Sequence, residues 1–167
     1  MRVGFFTDSY FPEIDGVTYT LKAWKERLED RGHDVYIIYP GSGEYEPGEN
    51  EIPVRSIPNP FYDGYRVPVP AGISFKAFAD VMFPLYDRYR MPFPEDIPEF
   101  DVVHCHSPAT LGIAGRLHAW SNGTPTVYTH HTPLEEYFVQ AVKSERIAGL
   151  LERLYVPLEN LLLRSFD

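Results

Sequence analysis

The sequence predicts an α/β fold with a mainly parallel sheet, and three observations carry that expectation. Short β-branched and aromatic runs alternate with helix-period stretches, each helical stretch opens on a capping residue or glycine, and two of them close on a glycine. Val3-Gly4-Phe5-Phe6 reads as the first buried strand, within residues 2–6. It breaks at Thr7-Asp8-Ser9-Tyr10 into a loop that ends at Asp15-Gly16-Val17. From there Val17, Leu21, Trp24 and Leu28 fall four, three and four apart, an apolar helical stripe, with Lys22, Lys25, Glu26 and Glu29 on the wet face. Gly32 stands where a left-handed helix closure costs least, and Val35 to Tyr39 form the second strand. This is a complete βαβ unit, for which a right-handed crossover is expected.

The section from 40 to 100 holds eleven of the sixteen prolines, so long regular elements are not expected there. A short third strand is expected near Ile52 to Ile57. Further on, Phe75, Phe78, Met82, Phe83, Tyr86 and Tyr89 alternate with Lys76, Arg88 and Arg90 in an aromatic, locally basic segment. It reads either as a subdomain packed on the sheet or as an interfacial helix, with Phe75, Phe83, Arg88 and Arg90 as membrane candidates. Regular grammar resumes with a fourth strand, Asp101 to Cys105. Ser107 then reads as N-cap and Pro108 as the first residue of a helix to about Ser121, closed by Asn122-Gly123. Thr126 to Thr129 give a fifth strand, and a long helical region with a break at Pro157 follows His130-His131-Thr132-Pro133.

At 167 residues and 44% hydrophobic, the chain can build one sizeable core, so one domain is expected. The net charge of −9 argues against a nucleic-acid surface. Cys105 is the sole cysteine, and residues 1–6 lack the features of a signal peptide, so a cytoplasmic protein is expected. No uninterrupted apolar run approaches the roughly 18 to 20 residues that span a bilayer.

In a parallel sheet the loops after the first, fourth and fifth strands share one rim, where ligands bind. The first offers a glycine nest, the second a helix N-terminus at His106-Ser107-Pro108, and the third the pair His130-His131. Together they suit an anionic or polyhydroxylated ligand. Each has a plainer reading: Gly16 as a turn packing helix on strand, Asp15 as a cap, His104 as a satisfied core residue. His106, at the strand end, is the better ligand candidate. Glu135 and Glu136 would either complement a helix dipole or meet sugar hydroxyls. A metal site from His104, His106 and His131 is disfavoured, because no carboxylate stands in ligand-like spacing to His106.

The segments FFTDSYFPEIDGVTYTLKAWKERLEDRGHDVYIIYP, DVVHCHSPATLGIAG and PTVYTHHTPLEEY resemble the amino-terminal domain of family-4 retaining glycosyltransferases of the GT-B fold. The likeness covers nearly the whole chain outside the proline-rich middle. Within that family, Asn59-Pro60-Phe61-Tyr62 with Tyr65-Arg66, and Thr129-His130-His131-Thr132 with Glu135-Glu136-Tyr137, look most like the diacylglycerol glucosyltransferases and related lipid enzymes. The resemblance implies a Rossmann-like, acceptor-binding half of a two-domain enzyme. The family's donor signature, two glutamates separated by seven residues, has no counterpart here. A fragment or separately made domain is therefore expected, inactive alone and completed by a carboxyl-terminal domain that binds the nucleotide sugar.

By position, the resemblance makes Gly16 and Val17 the residues whose amides meet the donor diphosphate. It makes His131 the histidine near the transferred sugar, although His130 stands where an aromatic residue is usual. Tyr10, Asp15, His106, Thr132, Glu135 and Glu136 are then acceptor-side candidates. The implied reaction moves a hexose to an acceptor hydroxyl with retention, without cofactor or catalytic metal, a glycerolipid being one acceptor that fits. The competing reading is a non-catalytic, flavodoxin-like module that recruits a partner, with a metal-dependent hydrolase a distant third.

Overall fold

The computed structural model describes residues 1–59, 64–68, 97–107 and 110–131, with residues 149, 153, 156–157, 160–161 and 163–166. Its sheet contains β1 (Arg2–Phe6), β2 (Asp34–Gly41), β3 (Glu51–Pro58), β4 (Arg66–Pro68), β5 (Val102–Cys105) and β6 (Thr126–Tyr128). Two helices are described, α1 (Gly16–Glu29) after β1 and α2 (Thr110–Asn122) after β5. The strand order is β4-β3-β2-β1-β5-β6. Every pairing is parallel except β3 with β4, which run antiparallel through Ser56–Pro58 and Arg66–Pro68. The Rossmann-like α/β expectation holds, with one correction: β4 is an antiparallel edge strand inside the proline-rich section. Its Pro68 is tolerated because an edge strand needs hydrogen bonds on one side only.

The order of strands defines a switch point. From β1 the chain winds outward through β2 and β3, then returns to lay β5 and β6 on the other side of β1. Because α1 and α2 pack on opposite faces, the switch point lies at the carboxyl ends of β1 and β5, the position at which open α/β sheets bind ligands.

The period of two along each strand separates two cores. Phe5 goes to the α1 face, with Val3, Leu21, Val35, Ile37 and Tyr39. Phe6 goes to the α2 face, with Ile38, Val54, Val103, Cys105 and Leu111. Each fully buried aliphatic side chain contributes about 1.5–3 kcal/mol. Burial also pushes the Cys105 thiol up to about 12, so it behaves as a small hydrophobe.

The helices end as their sequences require. Gly32 (φ 79°) closes α1 with crossed bonds, His33 N–H to the Leu28 carbonyl and Gly32 N–H to the Glu29 carbonyl. Gly123 (φ 65°) closes α2 in the same way, through Thr124 N–H to Ala119 and Gly123 N–H to Trp120. Within α2, Gly112 and Gly115 have a different purpose. A β-carbon on Gly112 would lie 1.7 Å from the Ser107 carbonyl oxygen, and one on Gly115 would lie 2.6 Å from Phe6 Cγ. Gly112 lets the first turn of α2 lie against the Ser107 backbone, and Gly115 lets α2 approach the sheet.

Candidate functional site

The β1 loop is held from both sides of the switch point. Asp8 reaches across to β5: Ser107 Oγ donates to Oδ2 at 2.6 Å, and Leu111 N–H donates to Oδ1 at 2.9 Å. Burial raises the Asp8 carboxyl, opposed by those two hydrogen bonds. This corrects one expectation: the positive end of α2 is met by an internal carboxylate where an open ligand site was expected. Ser107 donates to Asp8, and the amide of Ala109 that would test its expected capping role lies outside the described residues.

At the other end of the loop, Asp15 caps α1. Its Oδ1 accepts from Thr18 N–H at 2.8 Å, and its Oδ2 accepts from Ser9 Oγ at 2.6 Å and Tyr65 Oη at 3.2 Å. Burial raises this carboxyl, but the bonds from Ser9, Thr18 and Tyr65 outweigh it, and the net shift is downward. Gly16 and Val17 follow as the first helical residues, and among the described residues nothing accepts from their amides. A β-carbon built on Gly16 meets nothing within 4 Å, and its φ lies outside the left-handed region. The expected nest is therefore a helix start, and no packing among the described residues explains the glycine.

Three histidines converge beside it. His104 and His106 share one face of β5, their ring centroids 4.0 Å apart. Trp24 of α1 stacks on His104 at 5.6 Å, and Phe5 meets both rings edge-on. His104 Nε2 is 2.7 Å from Thr129 Oγ1. Past β6, His131 turns into the group, its Nε2 3.1 Å from His106 Nδ1, whereas His130 is exposed beside Tyr128. Burial lowers all three: His104 to about 4, His106 well below its ordinary value with help from His104 and His131, and His131 against the opposing charge of Asp15. All three are therefore neutral at pH 7, and among the described residues no three His, Cys, Asp or Glu side chains group as metal ligands.

Tyr10 is not on the rim. It is 1% exposed, packed against Tyr39, and its hydroxyl donates to Glu51 Oε1 at 2.6 Å. Tyr45 Oη and Gly48 N–H donate to Glu51 Oε2, both at 2.8 Å. The aromatic surface of this loop comes instead from Phe11, stacked on Tyr45 with Lys22 Nζ 5.7 Å over its ring, and from Tyr19, 57% exposed. Pro108, Thr132, Glu135, Glu136, Phe75, Phe83, Arg88, Arg90 and the start of the helix expected after Pro133 lie outside the described residues. Among the described residues no helix is long and apolar enough to cross a membrane.

An α/β sheet that is parallel but for β4, with its switch point between β1 and β5, is consistent with the amino-terminal half of a GT-B glycosyltransferase. Residues 14–167 match the model of Glycosyltransferase Family 4, and the chain belongs to that family. It is 35% identical over 137 residues to an alpha-monoglucosyldiacylglycerol synthase of Acholeplasma laidlawii, covering 82% of this chain and 31% of the relative. A protein of the same description from Streptococcus pneumoniae is 28% identical over 137 residues, 82% of this chain and 28% of that one. A GDP-mannose-dependent alpha-mannosyltransferase of Corynebacterium glutamicum is 26% identical over 138 residues, 79% of this chain and 29% of its own length. The chain thus spans about three tenths of the length of these curated relatives.

Proposed function

We propose that this chain forms the acceptor-binding side of a retaining hexosyltransferase, in which a separate carboxyl-terminal domain holds the nucleotide sugar. The observation that carries the reading is that His131 and the Gly16 and Val17 amides, which have no acceptor among the described residues, lie around one switch point, with Asp15 close enough to His131 to raise its proton affinity. In the reaction the anomeric carbon–oxygen bond to the diphosphate breaks, and a bond from the acceptor hydroxyl oxygen to that carbon forms on the same face. Charge grows on the departing phosphate oxygen. Fixed N–H dipoles at a helix start stabilise such charge without reorganising, and the open space at Gly16 lets the phosphate approach. His131 hydrogen-bonds the sugar and leaves the acceptor proton to the departing diphosphate. The reading requires no resident cofactor or metal.

The acceptor we infer is a glycerolipid, because two of the relatives are described as alpha-monoglucosyldiacylglycerol synthases, a name that makes a glucosylated diacylglycerol their product. Phe75, Phe83, Arg88 and Arg90 are then the residues for peripheral contact with the cytoplasmic face of a membrane. Radiolabelled nucleotide hexoses incubated with the enzyme containing this chain and with diacylglycerol or its monoglucoside should yield labelled glycolipid. His131→Ala should lower kcat/KM about 100-fold without unfolding the protein. Absence of transfer from every nucleotide hexose to either lipid would overturn the lipid assignment, and a fully active His131→Ala would remove His131 from the sugar.

A further inference from the structure

His106 is 3% exposed and enclosed by Phe5, Trp24, His104 and His131. Its Nδ1 shares a 3.1 Å hydrogen bond with His131 Nε2, and its Nε2 is buried with no partner among the described residues. Both rings are neutral, so one of them donates the single proton of that bond and the other accepts it.

The two arrangements are unequal. If His131 donated from Nε2, His106 would carry its own proton on Nε2, leaving an N–H donor orphaned among aromatic rings. If His106 donates from Nδ1, the orphan is a bare lone pair. Buried N–H groups without acceptors are the rarer of the two in folded proteins.

We propose that His106 is a positioning residue: by donating from Nδ1 it holds His131 in the tautomer protonated on Nδ1, so that His131 meets its ligand with an N–H donor. His131 Nδ1 has no protein partner among the described residues, and the ring is only partly buried. The ligand atom it selects is then an oxygen offering lone pairs, such as a sugar hydroxyl accepting a hydrogen bond. That choice of ligand rests on the glycosyltransferase reading, whereas the position of the proton does not.

Long-range proton–nitrogen correlation spectra of the protein with 15N-labelled histidines, recorded at neutral pH, test it. His131 and His106 should each show a pyrrole-type Nδ1 and a pyridine-type Nε2. A pyridine-type Nδ1 on His131 overturns the proposal. His106→Asn keeps an amide N–H toward His131 and should keep the signature, while His106→Phe should shift His131 toward a mixture of tautomers. An unchanged His131 in folded His106→Phe also overturns it, and if that variant does not fold the wild-type spectrum decides. Absent sugar transfer with the expected tautomer would support this inference while removing the glycosyltransferase reading. Intact transfer with the other tautomer would do the reverse.

Discussion

The two faces of the sheet use glycine in opposite ways. On the α2 face, Gly112 and Gly115 are required by packing, because backbone and side-chain atoms of Ser107, Phe6 and Cys105 occupy the space a β-carbon would need. On the α1 face, a β-carbon on Gly16 meets nothing among the described residues, and the helix that it starts carries Trp24, stacked on His104. One face is filled by the chain itself. The other leaves space around Gly16 among the described residues, so the same residue type marks close packing in one place and, on the proposed function, a binding site in the other.

The sharpest way to break the comparison is Gly112→Ala. With 1.7 Å to the Ser107 carbonyl oxygen, α2 must shift away from the segment that follows β5, and urea unfolding should show a loss of about 3 kcal/mol or more. A stable Gly112→Ala would remove the contrast.

Acid is the next largest lever, and it acts on the α1 face. The folded-state pKa of His104 is depressed from 6.5 to about 4, and His106 and His131 are depressed as well. Below about pH 6.5 the unfolded chain takes up protons that the folded chain refuses, so stability present above that pH is lost as pH falls toward 4. His104 alone accounts for a loss on the order of 3 kcal/mol. Asp8, raised by burial, offsets part of it at the acid end. Denaturation midpoints that stay level from pH 7 to about pH 4 would show that the histidine group is not as enclosed as its surroundings indicate.

Asp8→Ala should follow at about 2 kcal/mol, since it orphans Leu111 N–H and Ser107 Oγ. Asp8→Asn should cost less, because it keeps an acceptor for Leu111 and relieves a buried charge. The smallest stability effect is expected for Gly16→Ala, within about 0.5 kcal/mol of wild type, because the added methyl meets nothing. Its effect on transfer should nevertheless be large. Wild-type activity in that variant would return Gly16 to a neutral surface position and dissolve the difference between the faces.

The βαβ unit was legible because its signals are local: an apolar run, a four-three-four stripe and Gly32 at the left-handed turn. The strand pair His104 and His106 was legible for the same reason, since alternation puts both on one face. What escaped depended on partners distant in sequence or on rules that lapse outside regular structure. β4 has three residues, one of them proline, and offers no period to read. Strand alternation leaves the choice between His130 and His131 open, and β6 ends at Tyr128 before reaching them. Tyr10 sits in an irregular loop, where nothing local says that the ring turns inward to Glu51. Asp8 had one usable signal, an acidic residue just past a buried strand, but its partners are 99 and 103 positions away.

That last separation bears on how the molecule assembles. Most helices carry their first cap in their own flanking sequence, so they can start to form before the rest of the chain arrives. The cap of α2 is supplied by a loop about a hundred residues upstream, and it becomes available only after β5 has settled beside β1. Closing so long a loop costs entropy, so the Asp8–Leu111 bond is expected to form late in folding. In the native state the same bond ties the β1 loop to the first turn of α2, so the two are expected to open together. Hydrogen exchange at Leu111 should therefore report on the loop that carries Asp8, from the far side of the sheet.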